Sequence, residues 1–303
     1  MRAAVVSSIA ILLGGAAQAD PAELGLGPLE GIDLPFDHGE LALTARGTAP
    51  DAGSDRYQDG SLALAGAIPL LGHGPTGWRL LAQFRAEGEL VQTAALPRVE
   101  TISKDALGAT VLYVSQRRDL YALYAGAGIG ESTATISSPT LMPTAIGLGT
   151  YRSGALTWIY GGGFGYALGR SWLLPAAGVS WRASPTWTLS TLLPVDAEVR
   201  HALSASFALS LLVSVSGDLY RVANDGAFPG ASDTLTVGLA QLRTGLRAQY
   251  KLGDRWALRA EVGVVGPRRL QITDGSETEW SSTSTGTFYL STGVSYAFDH
   301  APL

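Results

Sequence analysis

No cysteine occurs in the 303 residues of the chain, which excludes a disulfide framework and a thiol-anchored lipid following any leader. Charge is scarce as well: Asp, Glu, Lys and Arg make up 16% of residues, low for a soluble surface. Hydrophobic residues reach 46%, yet after Ala19 no apolar run is long enough to cross a bilayer as a helix. Sustained helical periodicity is missing too. A chain poor in charge and without a crossing helix points to strands as the crossing element. The net charge of −5 lacks the basic excess of a nucleic-acid binder, so no nucleic-acid partner is expected.

What the sequence does contain begins with MRAAVVSSIAILLGGAAQAD. Arg2 gives a basic start, Ala4 to Ala16 an apolar run, and Ala17-Gln18-Ala19 an A-x-A cleavage site. This predicts a cleaved signal peptide over 1–19, followed by a short periplasmic extension over 20–38. From 39 to 298 the sequence alternates. In GWRLLAQFRAEGE, Trp78, Leu80, Ala82 and Phe84 oppose Arg79, Gln83 and Arg85, and similar stretches recur to TFYLSTGVSYAF. Period-two alternation of this length predicts strands with one apolar and one polar face. Residues 299–303 are left as a short tail. The hydrophobic parity changes between Leu235, Val237, Leu239 and Leu242, Leu246, Tyr250, which predicts a β-bulge near Ala240.

A turn element repeats in FGYALGRSWLL, VSWRASPTWTL, AEVRHALSASFAL and AQYKLGDRWAL. Trp78, Trp172, Trp181, Trp187 and Trp256 stand beside such short turns, five of seven tryptophans, which predicts an aromatic girdle at one membrane interface. The remaining connections read as long polar loops, among them Gly88 to Asp105 and residues 131–153. If all tight turns share one end, SWLLPAAGVSW and TWTLSTLLPVDAEVR, each with a central proline (Pro175, Pro194), must be resolved. Two short hairpins give about 14 strands and two single strands about 12, the pair being short for spanning strands or forming a low wall.

The final strand carries Ser291, Gly293, Tyr296 and Phe298. These resemble, position by position, the polar-x-Gly-x-x-aromatic-x-aromatic signal of bacterial outer-membrane barrel proteins. The departure is that Asp299 to Leu303 follow the aromatic. The W-R-x-S-P-x-W run from Trp181 to Trp187 resembles a functionally uncharacterised group of such barrels. The resemblance implies an all-β, single antiparallel up-and-down transmembrane β-barrel of about 12 to 14 strands in the bacterial outer membrane. Outer-membrane lipid and the barrel-assembly machinery are the implied partners.

Charges on predicted inward faces form the candidate site: Arg79, Arg85 and Glu87 on one strand, Arg243 and Arg247 on another, Arg259 and Glu261 on the next. On a lipid face each would cost about 2–4 kcal/mol near the midplane, so they are expected to line the lumen. They either pair across a filled interior or border a narrow passive channel for small polar solutes. The alternative to a channel is a closed structural or binding barrel acting through its extracellular loops. Gly161-Gly162-Gly163-Phe164-Gly165 lacks the lysine of a phosphate-binding loop and reads as close strand contact. The four histidines, His38, His73, His201 and His300, do not fall where an outer-rim hydrolase needs its base. No enzyme activity, cofactor or metal is expected.

Overall fold

The computed structural model describes residues 38–299 apart from 50–57, 73–75, 94, 97–98, 118, 133–140, 168–169, 194–195, 276 and 285. The signal peptide, nearly all of the N-terminal extension, His73, Pro194 and residues 300–303 therefore lie outside the described residues.

Among the described residues fifteen strands follow one another: β1 His38–Thr48, β2 Gln58–Leu71, β3 Gly77–Gln92, β4 Glu100–Val114, β5 Leu120–Ser132, β6 Met142–Ser153, β7 Leu156–Ala167, β8 Arg170–Arg182, β9 Trp187–Leu193, β10 Asp196–Ala202, β11 Phe207–Ala223, β12 Thr234–Leu252, β13 Trp256–Asp274, β14 Glu277–Ser284 and β15 Thr287–Asp299. Each pairs antiparallel with its sequence neighbour as far as β13. The lower half of β13 pairs with β15 and its upper half with β14, while β15 pairs with β1. The result is a closed barrel of fourteen staves, β14 and β15 sharing one.

The count agrees with the upper sequence expectation by a different route. Residues 171–181 are not a hairpin but a single strand, with Pro175 inside it opposite Gly162. Residues 186–200 do fold back, as β9 and β10. The missing strand is β6, which occupies the second half of the stretch read as a loop at 131–153. The stretch read as a loop at 88–105 is likewise mostly strand, because β3 runs to Gln92 and β4 starts at Glu100.

At one end all six connections are two to five residues long. Two of the sequence repeats found there share a mechanism. Ser184 Oγ accepts hydrogen bonds from the amides of Thr186 and Trp187 at 3.2 and 3.1 Å, and Ser204 Oγ does the same for Ser206 and Phe207 at 3.2 and 3.0 Å. A serine three residues before the aromatic strand start thus closes each hairpin. FGYALGRSWLL is not a third copy: β7 and β8 join at the opposite end, which places Trp172 away from the other four tryptophans. Short connections therefore occur at both ends, since β9 and β10 also join over two residues at that opposite end.

The wall is uneven. β9 and β10 have seven residues each, whereas β11 continues nine residues past Ser214, the partner of Asp196 at the top of β10. Above the low wall of β6 to β10 the tall strands close on themselves, with Arg221 of β11 meeting Glu131 of β5 in a parallel bridge. The expectation of a low wall is met by β9 and β10.

Candidate functional site

Burial alternates along the strands, and it changes character with height. On the lower part of β13 the exposed residues are Trp256, Leu258, Ala260, Val262 and Val264, while Arg259 and Glu261 turn inward. On the upper part Leu270 and Ile272 are buried and Arg269 and Gln271 face out. β4 repeats the pattern: Leu107 and Val111 face out below, Ile102 faces in above. The lower tier is apolar outside and mostly polar inside, apart from a small buried cluster of Leu81, Leu112, Val114 and Leu120 near the tight-turn end, and the upper tier is the reverse, like a water-soluble barrel.

The upper interior is a cap of ten buried apolar residues, including Val91, Leu96, Tyr220, Leu239, Leu270 and Ile272. Phe228 and Trp280 pack against it. Phe228 is carried there by the β11–β12 connection, folded around Asn224, whose Nδ2 donates to the Phe228 carbonyl at 2.9 Å and whose Oδ1 accepts from the Phe228 amide at 2.9 Å. Ser232 ties the same connection to β13, its amide donating to Asp274 at 2.8 Å. These amide and hydroxyl hydrogen bonds from Ser232 hold the Asp274 carboxyl below its ordinary pKa.

The bulge predicted in β12 near Ala240 lies instead in its partner. Gln241 pairs with Arg268 and Arg243 with Val265, so the extra residue is in β13 at Gly266–Pro267. β12 keeps one parity inward throughout, and its phase change records the interior turning from apolar (Leu235, Val237, Leu239) to polar (Gln241, Arg247, Gln249).

Beneath the cap lies an ionic layer. Arg46 pairs with Asp59 at 3.1 Å and with Glu89 at 3.5 Å, Glu89 also bonds Lys104, and Thr48 bonds Asp59. Arg85 Nε donates to Glu87 at 3.1 Å. Lys104 sits 5.7 Å from the ring centre of Tyr220 in the cap, joining the two layers. Arg268 Nε donates to Gln241 at 3.2 Å.

A second cluster lies further down. Arg247 Nε donates to Glu261 at 2.9 Å and its Nη1 is 3.7 Å from Glu198. Tyr289 donates to the other Glu261 oxygen at 2.7 Å, and Arg243 lies 5.9 Å from the Tyr289 ring centre. The structure thus brings Arg243, Arg247 and Glu261 together. Arg259 lies lower, opposite Gln249 and Gly293, beside a cavity of about 10 Å³ that has room for about one water. Arg79, buried near the tight-turn end, stands apart from the Arg85–Glu87 pair. Sequence reading missed Arg46, Asp59, Glu89, Lys104, Glu198 and Arg268. Glu89 and Lys104 fell in a stretch read as a loop, and Glu198 in a short hairpin; the period-two alternation running on past Gly88 was the available signal for the first pair.

Outside, an aromatic belt follows the tight-turn end. Trp78 lies tilted against Tyr113 with ring centres 4.9 Å apart, Trp187 stacks on His201 at 4.2 Å, and Trp256 lies tilted against Tyr296 at 4.6 Å. Trp181, Trp158, Tyr121 and Tyr250 are exposed in the same belt. His201 is therefore part of β10, and His38 opens β1. Ser291, Gly293, Tyr296 and Phe298 lie in β15, the strand that closes the barrel between β13 and β1.

Residues 113–297 match the family described as "Domain of unknown function (DUF6268)". The chain belongs to that family. No curated protein matches it in sequence. Solved barrels of similar architecture include the translocator domain of the autotransporter NalP from Neisseria meningitidis, at 13% identity and TM-score 0.40, covering 98% of this chain and all of that one. LpxR from Salmonella typhimurium matches at 10% identity and TM-score 0.39 over 86% of this chain and 100% of that chain. KdgM porin matches at 9% identity and TM-score 0.30 over 85% and 99%. The fold resembles outer-membrane barrels, and the likeness lies in architecture alone.

Proposed function

We propose that this DUF6268 protein is an integral outer-membrane barrel with a closed lumen, acting as an anchored structural or binding protein through the tier it raises above the membrane. The tight-turn end faces the periplasm, because its aromatic belt suits the headgroup zone and long connections concentrate at the other end. The observation that carries the reading is the inversion of polarity with height. A solute entering from the periplasm passes the small apolar cluster of Leu81, Leu112, Val114 and Leu120, then paired charges, then an apolar cap in which Leu235, Val237 and Leu239 are 0% exposed. An ion crossing that cap would lose its hydration without replacement. The packing therefore favours the closed barrel over the narrow channel. The reading assigns no catalysis and takes no cofactor; His201, stacked on Trp187 in the outer belt, is placed for the interface rather than for a rim hydrolase.

The experiment is planar-bilayer recording on the refolded chain. The expected result is no conductance above that of the empty bilayer, with steps appearing in a variant combining Leu239→Ala and Leu270→Ala, which thins the cap. Steady ohmic conductance from the unmodified chain overturns the closed-barrel reading.

A further inference from the structure

The inner face of the barrel is cationic at the tight-turn mouth. Tyr151, Trp181, Val199, Tyr250 and Leu258 are exposed on the outside, so the period of two turns their neighbours Arg152, Arg182, Arg200, Lys251 and Arg259 inward. Strand register sets three arginines in one row. Thr188, 4% exposed, stands opposite Arg182 on one side and Arg200 on the other, and Ser210 stands between Arg200 and Arg247. Side chains directly opposed in such a ladder start about 5 Å apart. The carboxylates described at this level are fewer: Glu198 and Glu261, both on Arg247, Asp119, which accepts the Arg152 amide, and Asp254 in the β12–β13 turn. Six cations thus meet four carboxylates. The arginines of the mouth already take part in interactions within the barrel, so its distinguishing property is this surplus of charge.

The chain itself carries the complement. Residues 20–37, which follow the expected cleavage site and lie outside the described residues, contain Asp20, Glu23, Glu30, Asp33 and Asp37 and no Lys or Arg. They lead directly into β1, which begins at His38 at the same mouth, opposite Asp299 of β15. Eighteen residues reach about 60 Å when extended. A barrel of fourteen staves is about 28 Å across at ordinary strand spacing and tilt. The tether is long enough to cross the mouth and return, and it raises the local concentration of its carboxylates to about the millimolar range.

We infer that residues 20–37 dock in the tight-turn mouth of their own barrel, with their carboxylates against the Arg182–Thr188–Arg200 row and Lys251. Guanidinium forks and the threonine hydroxyl donate to carboxylate oxygens, and Lys251, exposed at the rim, adds a point charge. The lumen is then stoppered at the end opposite its apolar cap. Bilayer conductance reads the cap and a cross-link reads the mouth, so either reading can fail alone.

The lysines of the chain are Lys104, bonded to Glu89 in the ionic layer, and Lys251. A zero-length carbodiimide, which condenses a carboxylate with an amine and takes up the water released, therefore reports on Lys251. In the refolded chain from Asp20 onward, peptide mass spectrometry is expected to find Lys251 joined to an acid of residues 20–37 within one molecule. The Arg182→Gln/Arg200→Gln variant is expected to lower that yield about fivefold or more, as is about 1 M salt, which screens an open mouth. Arg269→Gln, on the outer face of the upper tier, is expected to keep it. Heat-modifiable migration checks that each protein has formed its barrel, and the salt series on the unmodified chain decides if the double variant does not fold. Lys251 joined to Asp254 alone, a yield that survives the double variant or the salt, or links that form between isotopically light and heavy copies instead of within one overturns the docking.

Discussion

Gly263 and Glu261, two residues apart on β13, set the geometry of the lower cluster from opposite directions. Glu261 receives Arg247 and Tyr289 on its two oxygens. Gly263 makes room for that tyrosine: a Cβ there would lie 2.2 Å from the Thr244 carbonyl oxygen and 2.7 Å from the Tyr289 ring. Gly263→Ala is expected to lower stability by about 1–3 kcal/mol through overpacking, read as a lower urea midpoint of the folded band on gels. Asp274 makes a pH prediction. Its carboxyl is held below its ordinary pKa by Ser232, so the stabilisation is present above the ordinary carboxylate range and is lost as pH falls through the lowered value. The Ser232 amide should stay protected from hydrogen exchange at neutral and mildly acidic pH and lose protection only below that ordinary range; loss of protection near neutrality would contradict the assignment. At this scale the sequence placed Arg243, Arg247 and Glu261 on adjacent strands correctly. It could not place Arg46 against Glu89, because that contact depends on the stagger between β1, β2 and β3.

Among the elements, β12 is the most instructive. Its apolar residues change parity midway, and local reading made that a bulge. The strand in fact holds its faces, and the solvent inside the barrel changes instead, from a polar lumen to a cap. Alternation reports which face is apolar, without saying whether that face is the inner or outer one. Leu239→Ala is expected to destabilise the upper tier by about 2–5 kcal/mol, since Leu239 is fully buried in the cap. Hydrogen exchange should register the loss at β12 and β13 above Gln241 while the lower strands keep their protection. A uniform loss over the whole barrel would argue against two tiers.

For the molecule as a whole, the absence of cysteine permits a direct map of those tiers. Val262 and Gln271 lie on the outer face of the same strand, below and above the bulge. On intact cells a membrane-impermeant maleimide is expected to label Gln271→Cys strongly and Val262→Cys hardly at all. Equal labelling of both would place the whole strand in water and overturn the membrane reading; no labelling of either would place the upper tier in lipid.

The strand class, the alternation, the closing position of residues 288–298 and most of the aromatic belt were determined by the sequence alone, because period two and turn chemistry are local properties. Tyr113 and Trp158 joined the belt only in three dimensions, and the closure above the low wall by Arg221 and Glu131 likewise appears only there. What tertiary structure decided was which faces enclose water and which enclose a core. That choice depends on strands far apart in the chain converging at one height, where Val91, Tyr220, Leu239 and Ile272 bury one another. No single strand records the meeting, and it is what makes a polar-lined lumen end in an apolar cap.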